Sequence, residues 1–354
     1  MLLSNIKSRG FKLCADLIGG VGLLRLINLL VGRLEQRTTE AGQSQFPFVQ
    51  KRVQRSAQIV LYHGVSNEPS PYLPTTSVDV FRNHMQYLAD YCHVLDLQDA
   101  VERMEAHDLP DRAVVVTLDD GYRDNYVHVF PILKQLGITA TIFLATGVIG
   151  NGGVLWHDQV CRMISQTTMK TLRKFGSVDG YCFETSEGRQ HAQEGILWFL
   201  RSLEDEVRSE HISRLARELE VPETASDAGL MLNWQEVKEM HHAGIHFGAH
   251  TVTHPILTRI SREQVVQEIR HSKMAIEREL ENEVLTFAYP SGRGQDINPE
   301  IKDIVKQEGF RCAVSTMAGS NRETDDMFEM KRVGFWDREM NTFGLRFEHF
   351  RFCA

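Results

Sequence analysis

Apolar residues recur along the chain with two different spacings, and the alternation between them sets the expected architecture. Short β-branched or aromatic runs at residues 58–65, 113–118, 138–145, 244–249, 284–292, 312–315 and 330–336 read as strands, the fifth closed by a Pro-Ser-Gly loop. Between them, apolar positions fall three and four apart. Residues 80–88 place Phe81, Met85 and Leu88 on one helical face, and residues 126–136 form a second helix ended by Gly137. Residues 234–240 and 301–307 read the same way. A longer helix opens at the capping box Ser261-Arg-Glu-Gln264 and carries Val266, Ile269, Ile276 and Leu280 as its apolar stripe. The strand at 113–118, the helix at 126–136 and the strand at 138–145 make a βαβ unit, which requires a parallel sheet. Repeated strand–helix pairs over about 270 residues predict an α/β fold, a distorted (β/α) TIM-like barrel of about seven strands.

Three segments depart from this alternation. Residues 160–230 read as mostly helical, with Gly176, Gly180 and Gly188 at turns, and are expected to form an insertion that caps or walls the site. Residues 35–55 are polar, contain Gly42 and Pro47, and read as a linker. Residues 1–34 mix Leu, Ile and Val with Lys7, Arg9, Lys12, Arg25 and Arg33, the pattern of an amphipathic helical leader. The catalytic domain is therefore expected at 56–354.

Charge sharpens that division. The formal net charge of −8 splits into +6 for residues 1–55 and −14 for the remainder. An acidic body argues against nucleic acid as a partner, whereas the basic leader suits peripheral contact with an anionic membrane surface. Asp16 and Arg25 interrupt any signal-peptide core and no clear cleavage site follows, so a cytoplasmic or membrane-peripheral location is expected, with export left open. The six cysteines are scattered, forming neither a zinc ribbon nor a disulfide framework, and a reducing compartment is the simpler reading.

The candidate chemistry lies where the strand runs stop. The run at 113–118 ends in Asp119 and Asp120 before Gly121, and adjacent residues of an extended chain point to opposite sides. Two carboxylates so placed can divide labour, one binding a cation and the other moving protons. His63 ends the first run before Gly64. His250 and His254 follow the run at 244–249, and because the residue before Pro255 is biased away from helix, a loop should fold both imidazoles toward one point. Taken singly, each has a plainer explanation as a turn carboxylate or a solvated histidine.

Together these residues carry a resemblance. Thr117-Leu-Asp-Asp-Gly121, His250-Thr-Val-Thr-His254 and Ala288-Tyr-Pro-Ser-Gly292 resemble three motifs of the polysaccharide deacetylases, the NodB-homology group or carbohydrate esterase family 4. The likeness spans roughly residues 56–340. Tyr62-His63-Gly64 resembles the branch acting on poly-N-acetylglucosamine, in which the histidine usually found late in the chain comes from near its start. The resemblance implies one divalent metal, commonly Zn2+, with Co2+, Ni2+ or Mn2+ also admitted, held by Asp120, His250 and His254. It further implies Asp119 as general base, the Tyr122 backbone N–H as oxyanion donor and His63 as the acid that protonates the departing amine. Trp156, Asp158, Tyr289 and Pro290 are the expected substrate-binding residues.

Two departures stand out. Ala288 occupies the place of an arginine that orients the base in many members, and Arg332 is the candidate to take over that role. There is no late Leu-x-His motif, since His349 follows Phe347-Glu348. The activity implied is hydrolytic removal of N-acetyl groups from N-acetylhexosamine units of a polysaccharide or oligosaccharide, in a bacterial envelope or exopolysaccharide pathway. A metal-dependent amidohydrolase acting on a small non-carbohydrate amide and a catalytically inactive sugar-binding protein are the alternatives.

Overall fold

The computed structural model describes residues 55–68, 75–176, 178–223, 227 and 229–352. The expected leader, 1–34, and all of the linker but residue 55 lie outside them. The elements run β1 (Ser56–Tyr62), α1 (Val78–Tyr91), β2 (His93–Leu95), α2 (Leu97–Glu105), β3 (Ala113–Leu118), α3 (Phe130–Leu136) and β4 (Thr141–Leu144). An insertion follows, of α4 (Trp156–Gln166), β5 (Thr171–Phe175), β6 (Val178–Cys182), α5 (Ser186–Arg201) and α6 (Asp205–Glu218). The alternation resumes with α7 (Trp234–His242), β7 (His246–Ala249), α8 (Arg262–Leu280), β8 (Thr286–Ala288), α9 (Pro299–Gln307) and β9 (Cys312–Val314). It ends in β10 (Asn321–Arg322), β11 (Val333–Gly334) and α10 (Met340–Phe352).

Strands β1, β3, β4, β7, β8 and β9 are parallel neighbours in that order, with β2 beside β3 and the antiparallel β10 beside β1. The sheet curls until its ends meet. Met330 bridges Val314 of β9, and three residues later Val333 of β11 pairs with Val60 of β1, so one short segment closes the (β/α) barrel.

Alternation along β3 shows what the barrel does with its side chains. Val114, Val116 and Leu118 pack outward against the surrounding helices. Ala113 and Val115 face the interior with Ile59, Phe143, Ala288 and Val314. All six β3 residues are buried, and at about 1.5–3 kcal/mol per buried Val or Leu side chain, pulling the strand out of the sheet would be prohibitive. The strand's end is thereby fixed in space. Capping residues do the same for the helices: Ser77 caps α1, Asp96 caps α2, and the expected Ser261/Gln264 box opens α8.

The insertion differs from the mostly helical expectation. β5 and β6 form an antiparallel hairpin, and with the three helices they bury a separate core that includes Val160, Ile164, Phe175, Ile196, Leu200 and Leu215. Leu172 and Phe175 lie three apart, a spacing that imitates a helix turn, and Gly176 at φ +65° turns the chain into β6 instead. Helix α10, also unpredicted, lays Phe343 and Phe347 against Phe335 and Tyr87. Beneath it, burial lowers the His84 pKa to about 4, so the ring is neutral. Its Nε2–H donates to the Asp337 carbonyl at 3.0 Å, and its Nδ1 accepts from the Tyr62 hydroxyl at 2.9 Å.

Candidate active site

The candidate groups stand at the C-terminal ends of the parallel strands, where a (β/α) barrel gathers its chemistry. Asp119 continues the interior column of β3 above Val115 and Thr117. Asp120 breaks the extended path at φ +76° instead of pointing to the opposite face, a conformation uncommon for a residue with a Cβ. Thr251 and His254 share it, at φ +66° and +59°. Left-handed backbone at three neighbouring positions is strain that the surrounding structure must hold in place.

Arg332 supplies part of that hold. It lies on the closing segment, between Met330 and Val333, and its guanidinium is fully buried over the Phe143 ring. Nη1 and Nη2 each donate to one Asp119 oxygen at 2.7 Å, Nη1 also reaches Thr117 Oγ1 at 3.2 Å, and Nε donates to the Ser315 carbonyl at 2.8 Å. Burial is the largest single influence on the Asp119 pKa and would raise it, but the Arg332 charge and hydrogen bonds, together with the nearby His250 and His63, outweigh it and hold the carboxyl below its usual range. Gly248 makes room for this arrangement, since a Cβ there would lie 2.5 Å from the Phe143 ring.

Asp120 has no such partner. It is 2 % exposed, and its Oδ1 has no hydrogen bond. His250 Nε2 lies 3.5 Å and His254 Nε2 3.4 Å from that oxygen. Burial pushes the Asp120 pKa up and both histidine pKa values down, so the imidazoles are neutral. His250 Nδ1 donates to the Ala288 carbonyl at 2.7 Å, which turns Nε2 toward Asp120. The loop between the histidines is clamped from α8: Glu268 accepts from the Val252 and Thr253 N–H groups and the Thr253 hydroxyl at 2.7, 2.9 and 2.8 Å.

His63 follows β1 on the same rim, half-buried, and its charge acts on Asp119, Asp120 and His254. Its turn is tied to the β3 exit twice. Asn125 Nδ2 donates to the His63 carbonyl at 3.0 Å, and Asp124 Oδ2 accepts from the Val65 N–H at 2.8 Å. The Tyr122 N–H has no acceptor among the described residues, while its hydroxyl donates to Asp158 Oδ2 at 2.9 Å.

The four expected substrate-binding side chains are placed differently from expectation. Tyr289 falls on the outward face after Phe287, so its ring is buried under the helices and its hydroxyl donates to the Phe328 carbonyl at 2.9 Å. Pro290 and Asp158 are buried too, the latter committed to Tyr122. Trp156 is half-buried, donates from Nε1 to the His254 carbonyl at 3.1 Å and faces the Arg208 guanidinium at 4.6 Å. Of the four, Tyr289, Pro290 and Asp158 are buried, and Trp156 keeps part of its surface exposed. Conversely, His157 was not foreseen. It is buried, its Nδ1 lies 3.4 Å from Asp158 Oδ1, and a ligand atom of its ring falls within 4.8 Å of ligand atoms of Asp120 and His254. The only signal was its position between Trp156 and Asp158.

Comparison with known proteins agrees with this geometry. A family profile described as polysaccharide deacetylase matches residues 106–179 and 201–313, together more than half of the chain. YxkH of Bacillus subtilis (strain 168), provisionally named a polysaccharide deacetylase, is 22% identical over 277 residues, covering 78% of this chain and 70% of its own. Among solved structures, the Streptococcus pyogenes deacetylase PplD in complex with acetate matches with a TM-score of 0.55 at 19% identity, covering 83% of this chain and 97% of that one. IcaB from Ammonifex degensii gives 0.54 at 20% identity, covering 82% and 97%. At these identities the structural likeness is one of fold.

Proposed function

The chain belongs to the polysaccharide deacetylase family, and from that premise we propose that it is a divalent-metal hydrolase that removes N-acetyl groups from N-acetylhexosamine units of a glycan. The observation that carries this reading is the bare Asp120 Oδ1, buried between two imidazole nitrogens at 3.4 and 3.5 Å. A buried acceptor left without a partner costs about 1–3 kcal/mol, more when charged, unless a cation covers it. Two neutral imidazoles and a carboxylate are the donor set of a catalytic Zn2+ site, and Co2+, Ni2+ or Mn2+ also accept it. Bonds of about 2.0–2.1 Å put ligand atoms about 3.3–3.4 Å apart in such a set, which the two separations from Asp120 match. His250 completes the set in preference to His157, because its second nitrogen is fixed by a backbone carbonyl, as ligating imidazoles commonly are.

A cation bound there supplies Lewis acidity toward an acetamide carbonyl and acidifies a water. The remaining chemistry belongs to side chains and backbone. Asp119, kept ionised and fixed in orientation by Arg332, takes the proton of the attacking water. The Tyr122 N–H donates to the oxygen that becomes negative as the carbonyl carbon turns tetrahedral. His63 gives a proton to the nitrogen as the C–N bond breaks, releasing acetate and a free amine.

The test is acetate release from N-acetylglucosamine oligomers by zinc-loaded protein, chelated protein and Asp119→Asn. Release that needs both metal and Asp119 is expected; equal release by all three would overturn the reading. The natural substrate on this reading is a bacterial envelope glycan or exopolysaccharide. Residues 1–34 would attach the enzyme peripherally to a membrane, and deleting them should move it to the soluble fraction. An unchanged membrane fraction would sink that attachment.

A further inference from the structure

His157 is 3 % exposed, and both of its chain neighbours are fastened to the segments that carry candidate ligands. Trp156 opens α4 and donates from Nε1 to the His254 carbonyl at 3.1 Å. Asp158 accepts at 2.9 Å from the hydroxyl of Tyr122, two residues past Asp120. The first turn of α4 is thereby pinned on one side to the histidine loop and on the other to the β3 exit, with His157 between them. A ligand atom of its ring falls within 4.8 Å of ligand atoms of both Asp120 and His254, and its ring centroid lies 5.0 Å from that of His254.

The two nitrogens of this ring have different surroundings. Nδ1 faces Asp158 Oδ1 at 3.4 Å, and neither atom has a hydrogen bond to any other group. A carboxylate against one nitrogen orients an imidazole and leaves the other nitrogen, here Nε2, with its lone pair free for a cation. His250 is prepared in the same way, its Nδ1 held by the Ala288 carbonyl. A purely structural role would not need this chemistry, because an apolar ring could fill the space without burying polar atoms that lack good partners.

We propose that His157 is a fourth protein ligand of the cation, joining Asp120, His250 and His254, so that the insertion contributes directly to the metal centre. This rests on the cation site of the deacetylase reading above and adds a ligand to it. Zn2+ in catalytic sites expands to five-coordinate, so four protein ligands still leave a position for water or substrate. Tyr122 then serves twice. Its backbone N–H is the oxyanion donor of the proposed reaction, and its hydroxyl holds the carboxylate that orients His157.

The experiment counts imidazoles by X-ray absorption at the zinc edge in zinc-loaded wild type and His157→Gln, with acetate release from N-acetylglucosamine oligomers measured on the same samples. Wild type should show three imidazoles and His157→Gln two. Zinc affinity, read by competition with a chromophoric chelator, should fall roughly tenfold in Tyr122→Phe, which keeps the backbone N–H and loses only the hydroxyl behind Asp158, and further in His157→Gln. Two imidazoles in wild type, or unchanged affinity in both variants, would overturn the fourth ligand, and acetate release by the same wild type would leave the deacetylase reading standing. Three imidazoles in a wild type that releases no acetate would keep the ligand and overturn the reaction. Neither bound zinc nor acetate release would overturn both.

Discussion

The buried pair of Asp119 and Arg332 offers the strictest test of the site. Arg332→Met removes two 2.7 Å charged hydrogen bonds and leaves a carboxylate that is 2 % exposed without a counter-charge. Removing one partner of a buried ion pair costs about 3–5 kcal/mol, because the other charge stays buried and unpaired. Against a total stability of about 5–15 kcal/mol, that loss is easily read from urea unfolding midpoints. Asp119→Asn in the same background should recover part of it, since no lone charge then remains. The double-mutant cycle should show coupling of about 2 kcal/mol or more. Arg332→Lys keeps the charge but cannot make two parallel bonds to a carboxylate while also reaching Thr117 and Ser315. It should fold, with kcat reduced more than KM is raised, because the arginine positions the base and touches no substrate. A loss below about 1 kcal/mol in Arg332→Met, or additive behaviour in the cycle, would refute the reasoning.

Other outcomes follow from the same geometry. Asp120→Asn and His254→Ala should each lower bound zinc, measured by atomic emission after dialysis, whereas Asp119→Asn should retain it; full zinc in all three would remove Asp120 and His254 from the ligand set. His63→Ala should keep its metal and lose about 10²–10⁴ in kcat on an amide. An acetate ester with a good leaving group, which needs no protonation, should suffer less, and equal losses would rule out the acid role. His84 governs a pH dependence away from the site. Its pKa is about 4 in the folded protein and about 6.5 when unfolded. The unfolded chain therefore takes up the proton first as pH falls. Stability should drop by about 3 kcal/mol between pH 6.5 and 4 on this account, and His84→Gln should flatten that part of the profile; parallel profiles would argue against it.

How much could be read from the chain depended on whether a residue's surroundings were local. Asp119, Asp120, His63, His250 and His254 each follow an apolar run, and a strand that ends in a polar residue and glycine announces itself without reference to anything distant. Arg332 was legible only as a vacancy elsewhere, the Ala288 position, because nothing in Lys-Arg-Val-Gly says that it turns inward. The ring of Tyr289 was misplaced for a simpler reason: it lies one residue past an interior position, and a shift of one reverses the face. His157 and Asp158 depend on how α4 docks beside Tyr122, which no spacing encodes. The β5–β6 hairpin failed locally, through apolar residues three apart on a strand too short to show its period.

Closure of the barrel by residues 330–334 also has a bearing on how the chain is made. Asp119 and Arg332 are separated by 213 residues. At about 5–20 residues per second, a ribosome needs roughly 10–40 s to travel from one to the other. Through that interval the carboxylate faces no guanidinium, and an unpaired charge keeps the space around it wet. Drying of the interior and arming of the base therefore happen together, when the final strand docks. A chain truncated after Glu329 should be open to brief proteolysis across residues 113–118, whereas protection there would mean that the sheet dries without its last strand. Synthesis itself would then withhold hydrolytic competence from every unfinished copy of the enzyme.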